Sequence, residues 1–145
     1  MNIRPLSETY AVSPQIDPSD LGAIKAAGYA AVIDNRPDGE IPDELQTAQM
    51  RAAAEAAGLE FFANPVIGGA LTMENVTAQA EAIAAAKGPI LAYCASGNRS
   101  SIVWALSQAG TRPAAELIAA AEAHGYHLAH LAPQIEALAA HKAEG

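Results

Sequence analysis

What this chain lacks is informative before any motif is read. One cysteine, Cys94, stands among 145 residues, so no internal disulfide can form and a reducing, cytoplasmic compartment is expected. Basic residues are scarce: eight Lys and Arg face sixteen Asp and Glu, a formal net charge of −8. Nucleic acid and anionic membrane surfaces both need a basic footprint, so neither is expected as a partner. No run approaches the roughly 20 apolar residues that span a bilayer. The opening Met1-Asn2-Ile3-Arg4-Pro5 has no signal-peptide character. Internal repeats, linkers and low-complexity stretches are also missing, which predicts one domain over residues 1–145.

What is present is alanine. Half the residues are hydrophobic, and the many alanines predict several helices around a small set of larger apolar side chains. Tyr10-Ala11-Val12 reads as a strand, and Asp17-Pro18-Ser19-Asp20 as a capped helix start with Gly28 as its stop. Ala30 to Asp34 is a second strand, followed by a polar turn over Asn35–Gly39. Further helices are predicted over 43–57, from Thr72 to about Lys87, over 99–109, 114–124 and 133–142, with strands at 59–63 and 89–93. Strands alternate with helices throughout. The predicted architecture is α/β, a single-domain three-layer sandwich with a largely parallel central sheet flanked by helices.

The chemistry gathers after the most apolar strand. Pro89-Ile90-Leu91-Ala92-Tyr93 leads into Cys94-Ala95-Ser96-Gly97-Asn98-Arg99-Ser100, and a helix follows. A tight loop entering a helix turns backbone N–H groups inward above the positive end of the helix dipole. Such a nest binds an oxyanion and favours the thiolate of a cysteine placed in it. Gly97 permits a backbone conformation closed to most residues. Arg99 offers a planar fork for two substrate oxygens, and Ser100 can donate a hydrogen bond to the sulfur or to a sulfur-bound group. Cys94, Arg99 and Ser100 are therefore the candidate catalytic residues. Ala95, Ser96, Gly97, Asn98 and Arg36 are the candidate substrate-binding residues. Asp38, in Pro37-Asp38-Gly39, is a candidate general acid against an ordinary turn role, with Asp34 and Glu40 beside it. Ser13 and Gln15 are candidates for the pocket rim. His124, His127 and His130 recur every third residue, but Gly125 interrupts them and no thiol or acidic ligand accompanies them. No metal or cofactor is expected. Trp104, with Ile102, Val103 and Leu106, reads as core.

Three segments, Tyr10–Gln15, Gly28–Glu40 and Ala92–Ser101, together resemble the phosphatase-like domain of beta-lactamase-hydrolase-like proteins. That family is similar in fold to dual-specificity, tyrosine-phosphatase-like enzymes. The resemblance covers about Tyr10 to Gln108 and implies Cys94 as nucleophile and Arg99 as oxyanion-binding arginine. Two departures stand out. Four residues separate Cys94 from Arg99, one fewer than in tyrosine-phosphatase-like enzymes, and this shorter ring is similar to the loop of rhodanese-type sulfurtransferases. Such phosphatases also carry an aspartate acid in an upstream loop, where this chain reads Pro65-Val66-Ile67-Gly68-Gly69-Ala70-Leu71 with no carboxylate. Loss of general-acid help costs ~10²–10⁴-fold. Three readings stay open: a cysteine-dependent phosphatase-like hydrolase, a sulfurtransferase carrying a persulfide on Cys94, and a non-catalytic anion-binding module. The first two take a small anionic substrate, a phosphorylated compound or a sulfur donor.

Overall fold

A computed structural model describes residues 1–144. Its centre is a five-stranded sheet in the order β1-β2-β5-β3-β4. The strands are β1 (Arg4–Pro5), β2 (Tyr10–Ser13), β3 (Ala31–Asp34), β4 (Glu60–Ala63) and β5 (Ile90–Tyr93). The β2, β5, β3 and β4 neighbours run parallel, and β1 pairs antiparallel with β2 along the edge. In β2, β3 and β5 every residue is buried, the pattern of strands covered on both faces.

The alternation of side chains assigns the two faces. Ala11, Val32, Leu91 and Tyr93 pack with Leu21 and Ile24 of α1 (Leu21–Ala26) and with Met50 and Ala54 of α2 (Thr47–Ala56). Tyr10, Val12, Ile33, Ile90 and Ala92 join a larger core on the other face. That core takes in α3 (Met73–Ala85), α4 (Asn98–Ser107), α5 (Ala114–Glu122) and α6 (Ala132–Glu144). The three-layer expectation holds, and Trp104 packs as read, its ring stacked on Tyr10 at 5.7 Å between centroids. Among the described residues no helix is long and apolar enough to cross a membrane.

Caps and stops follow local chemistry. Asp17 and Asp20 form a reciprocal capping box, as do Thr72 and Asn75. Gly28 and Gly58 terminate α1 and α2 with φ of 103° and 83°. One expectation needs correction, and one element had none. The helix predicted over 43–57 begins only at Thr47, because Gln46 is extended (φ −74°, ψ 167°) and Asp43–Leu45 forms a separate 3₁₀ turn. The carboxylate of Asp38 caps the true start, accepting from Thr47 N and Thr47 Oγ1, each at 2.7 Å. Strand β1 had no sequence signal, since two residues ending in proline carry no periodicity.

The topology puts the Cys94 loop at the middle of the sheet. From β2 and β3 the chain turns to helices on one face, whereas β5 feeds α4 on the other. The carboxyl end of β5 is therefore a switch point, where adjacent loops part and leave a crevice.

Candidate active site

Strand β5 delivers Cys94 to this crevice fully buried. The chain turns at Gly97, whose φ of 95° lies in the left-handed region. The turn aims the Gly97 N–H at Cys94 Sγ, 3.1 Å away. The Asn98 N–H is taken by Ser96 Oγ at 3.2 Å. The N–H groups of Ala95, Ser96 and Arg99 donate to no atom among the described residues, the condition an anion-binding nest requires.

Arg99 does not project freely. Its Nη1 and Nη2 each donate to a Glu40 carboxylate oxygen at 2.8 Å, and Nη1 also donates to the Val66 carbonyl at 2.8 Å. The Glu40 contact, reinforced by the charge of Cys94, raises the guanidinium pKa, and the same pairing holds the Glu40 carboxyl below its ordinary value. Arg36 joins the cluster, with Nε 3.4 Å from Glu40 Oε1 and Nη1 donating to Gln15 Oε1 at 3.2 Å. The rim thus gathers Gln15, Arg36, Glu40 and Arg99 from three loops. The sequence offered Glu40 only as a lesser acid candidate; its place here is as the partner of the arginine.

Two candidates point elsewhere than expected. The Ser100 hydroxyl donates to Asn35 Oδ1 at 2.9 Å rather than to sulfur. Asp38 is turned to Thr47 as the cap described above. Ser100 instead opens a buried polar network that sequence reading missed. Asn35 Nδ2 and Asn64 Nδ2 both donate to Gln79 Oε1, at 2.9 and 2.8 Å. Gln79 Nε2 donates to Tyr10 Oη, and Tyr10 Oη to the Ser100 carbonyl, each at 2.9 Å. Burial drives the Tyr10 phenol pKa far upward, so it stays a neutral donor. One signal was available: Gln79 is the polar residue on the apolar stripe Val76–Ala82–Ile83 of an Ala-rich helix. On the far side of the loop, Tyr126 Oη donates to the Ser96 carbonyl at 2.8 Å, a contact no local pattern announces.

A family model described as "Beta-lactamase hydrolase-like protein, phosphatase-like domain" matches residues 2–111. The chain belongs to that family. It is 34% identical over 138 residues to a beta-lactamase hydrolase-like protein of Xylella fastidiosa, covering 94% of this chain and 32% of the relative. An Agrobacterium fabrum protein of the same description is 35% identical over 101 residues, covering 70% of this chain and 23% of the relative. The chain spans a third or less of the length of these curated relatives. Among solved structures, a candidate phosphatase of Neisseria meningitidis superposes with a TM-score of 0.80 at 31% identity, covering 95% of this chain and 99% of that one. P. aeruginosa TpbA in complex with pTyr superposes at 0.64 with 17% identity, covering 99% and 91%. The fold is therefore that of the tyrosine-phosphatase-like proteins.

In this phosphatase-like domain one more acid lies close by. Asp34, at the carboxyl end of β3, is buried, and its Oδ1 accepts from Arg36 N at 2.9 Å. Oδ2 has no hydrogen-bond partner, nor does the buried Tyr93 Oη. The two side chains lie near enough for each to perturb the other. Desolvation first, then the Asp34 charge, push the Tyr93 phenol upward. Desolvation likewise raises the Asp34 carboxyl to about 6.

Proposed function

We propose that the domain hydrolyses phosphate monoesters through a covalent thiophosphate on Cys94. The observation that carries this reading is the loop around Cys94: the Gly97 N–H donates to its sulfur, three neighbouring N–H groups donate to no atom among the described residues, and Arg99 is clamped at the loop's end. Cys94 Sγ attacks phosphorus and the phosphorus–oxygen bond to the leaving group breaks, its electron pair departing with that oxygen. Water then attacks phosphorus, the sulfur leaves as thiolate, and inorganic phosphate is released. Glu40 and the Val66 carbonyl occupy three of the five N–H groups of Arg99. The Nε–H and one Nη2–H remain, a fork suited to two phosphate oxygens. Loop N–H groups held in place beforehand stabilise the charge that grows on those oxygens.

No carboxylate in the site is poised to protonate the leaving oxygen. Glu40 is held ionised by Arg99, Asp38 serves Thr47, and Asp34 is buried beneath the rim. The reading therefore favours monoesters whose leaving group departs without a proton, such as aryl phosphates. A cleft of about 260 Å³ bordering Arg99, lined by Ile67, Leu71, Ile102 and Leu106, suits an apolar leaving group.

Aryl phosphates of graded leaving-group acidity, and thiosulfate with cyanide, test this on wild type and Cys94→Ser. Phosphate release that vanishes in Cys94→Ser and rises steeply with leaving-group acidity is expected, with Arg99→Lys slower by ~10²–10³-fold. Thiocyanate formation without phosphate release would replace this reading with the sulfurtransferase that the four-residue spacing between Cys94 and Arg99 also supports. Activity on neither substrate would leave the anion-binding module. A shallow leaving-group dependence that becomes steep in Asp38→Asn would return Asp38 to the role of acid.

A further inference from the structure

The peptide unit between Ser96 and Gly97 is used at both ends. Its N–H donates to Cys94 Sγ at 3.1 Å, and its carbonyl accepts from Tyr126 Oη at 2.8 Å. A peptide is planar, with C=O and N–H pointing in opposite directions, so fixing the oxygen aims the hydrogen. The Tyr126 hydroxyl in turn accepts a hydrogen bond from Arg4 Nη1, and the Arg4 guanidinium lies 5.4 Å from the centroid of the same ring. His124 Nε2 at 2.8 Å from the Pro5 carbonyl holds the end of β1 beside this arrangement. The fit is close: a Cβ on Gly97 would stand 2.2 Å from Tyr126 Oη.

These contacts form one directed chain, from the Arg4 cation through the Tyr126 hydroxyl and the Ser96–Gly97 peptide to Cys94 sulfur. Each donor in such a series polarises the next, strengthening it by about 10–30% per bond. We propose that Arg4 and Tyr126 are positioning residues that aim and polarise the Gly97 N–H so that it stabilises negative charge on the Cys94 sulfur. They touch neither sulfur nor substrate. The role falls to strand β1 and to the connection between α5 and α6, both outside the loop. Two other ionisable groups feel the Cys94 charge, Arg99 of the same loop and the buried Tyr10 of β2; neither contacts Tyr126.

The inference rests on Cys94 being the working nucleophile, but its test needs no turnover. Cys94 is the sole cysteine, so ultraviolet thiolate absorbance against pH, with Cys94→Ser as blank, reports it alone. Tyr126→Phe keeps the ring beneath Gly97 and removes the hydroxyl. The midpoint of the thiolate titration is expected to rise by about half a pH unit, which below the midpoint is about a threefold loss of thiolate. Arg4→Gln should raise it less, and should add nothing in the Tyr126→Phe background, because links in series are not additive. Any phosphatase activity of Tyr126→Phe should recover toward wild type as pH rises, whereas a merely structural defect would persist. Coincident titrations for wild type and Tyr126→Phe, or additive shifts in the double variant, would overturn the proposal. Should Tyr126→Phe not fold, Arg4→Gln alone decides it, a shift supporting the relay and an unmoved midpoint refuting it. Shifted titrations without phosphate release would instead remove the phosphatase reading and leave the relay standing.

Discussion

At the scale of single residues, two acids beside the site behave in opposite ways for stated reasons. Glu40 is partly exposed and bonded to two arginines, so its carboxyl sits below the ordinary range. Its hold on Arg99 is complete above the ordinary carboxylate value and is lost only as pH falls through the depressed one. On the proposed phosphatase reading, Glu40→Gln should leave the fold intact and lower kcat/KM by about tenfold, since a mispositioned oxyanion clamp would lose part of a ~10²–10³-fold contribution. An unchanged kcat/KM in steady-state kinetics would show that Arg99 needs no clamp. Asp34 is the reverse case, raised to about 6 by burial. The folded state therefore holds a proton that the unfolded chain has released. The stability this gives is complete below the ordinary aspartate value and is lost as pH rises through about 6. Asp34→Asn keeps the oxygen that accepts from Arg36 N and removes the charge. Its advantage over wild type in thermal unfolding should be small near pH 4 and grow to about 3 kcal/mol above pH 7. A constant difference across that range would mean Asp34 ionises as freely folded as unfolded.

At the scale of elements, the loop is held by what lies behind it. Helix α3 looks like an amphipathic filler, yet its Gln79 is fully buried and links Asn35 and Asn64 to Tyr10, which grips the Ser100 carbonyl. Gln79→Leu would remove the acceptor of one N–H on each of the Asn35 and Asn64 amides and the donor to the Tyr10 hydroxyl, leaving each group one other partner, and each unmatched N–H in a dry interior costs about 1–3 kcal/mol. A loss of at least about 2 kcal/mol in denaturant unfolding is expected. A neutral substitution would mean that water replaces the amide. Gln79 was legible only as a polar residue on an apolar stripe. Its partners Tyr10 of β2 and Asn35 beyond β3 lie 69 and 44 residues away in sequence, and Tyr10 in turn reaches Ser100 of α4, 90 residues from itself; no local pattern encodes such distances.

For the whole molecule, the sheet ranks the parts by protection. Strand β5 lies between β2 and β3 and is buried on both faces, whereas β1 is a two-residue edge strand. Hydrogen exchange should find the amides of Leu91, Ala92 and Tyr93 opening only with global unfolding, and Arg4 exchanging far sooner. Early exchange in β5 would mean that the site strand opens on its own.

Sequence alone determined the alternation of strands and helices, most stops and caps, and the Cys94–Arg99 loop. All of these are written in near neighbours: an apolar run, a glycine free to take positive φ, an aspartate or threonine before a helix. Only the tertiary structure decided which partner each site group takes. It set Glu40 on Arg99, took Ser100 from the sulfur to Asn35, gave Asp38 to Thr47, and brought Arg4 and Tyr126 from opposite ends of the chain to one peptide bond. Those partnerships depend on which loops the switch point at β5 brings together, and pairing across such separations follows from packing rather than from spacing along the chain.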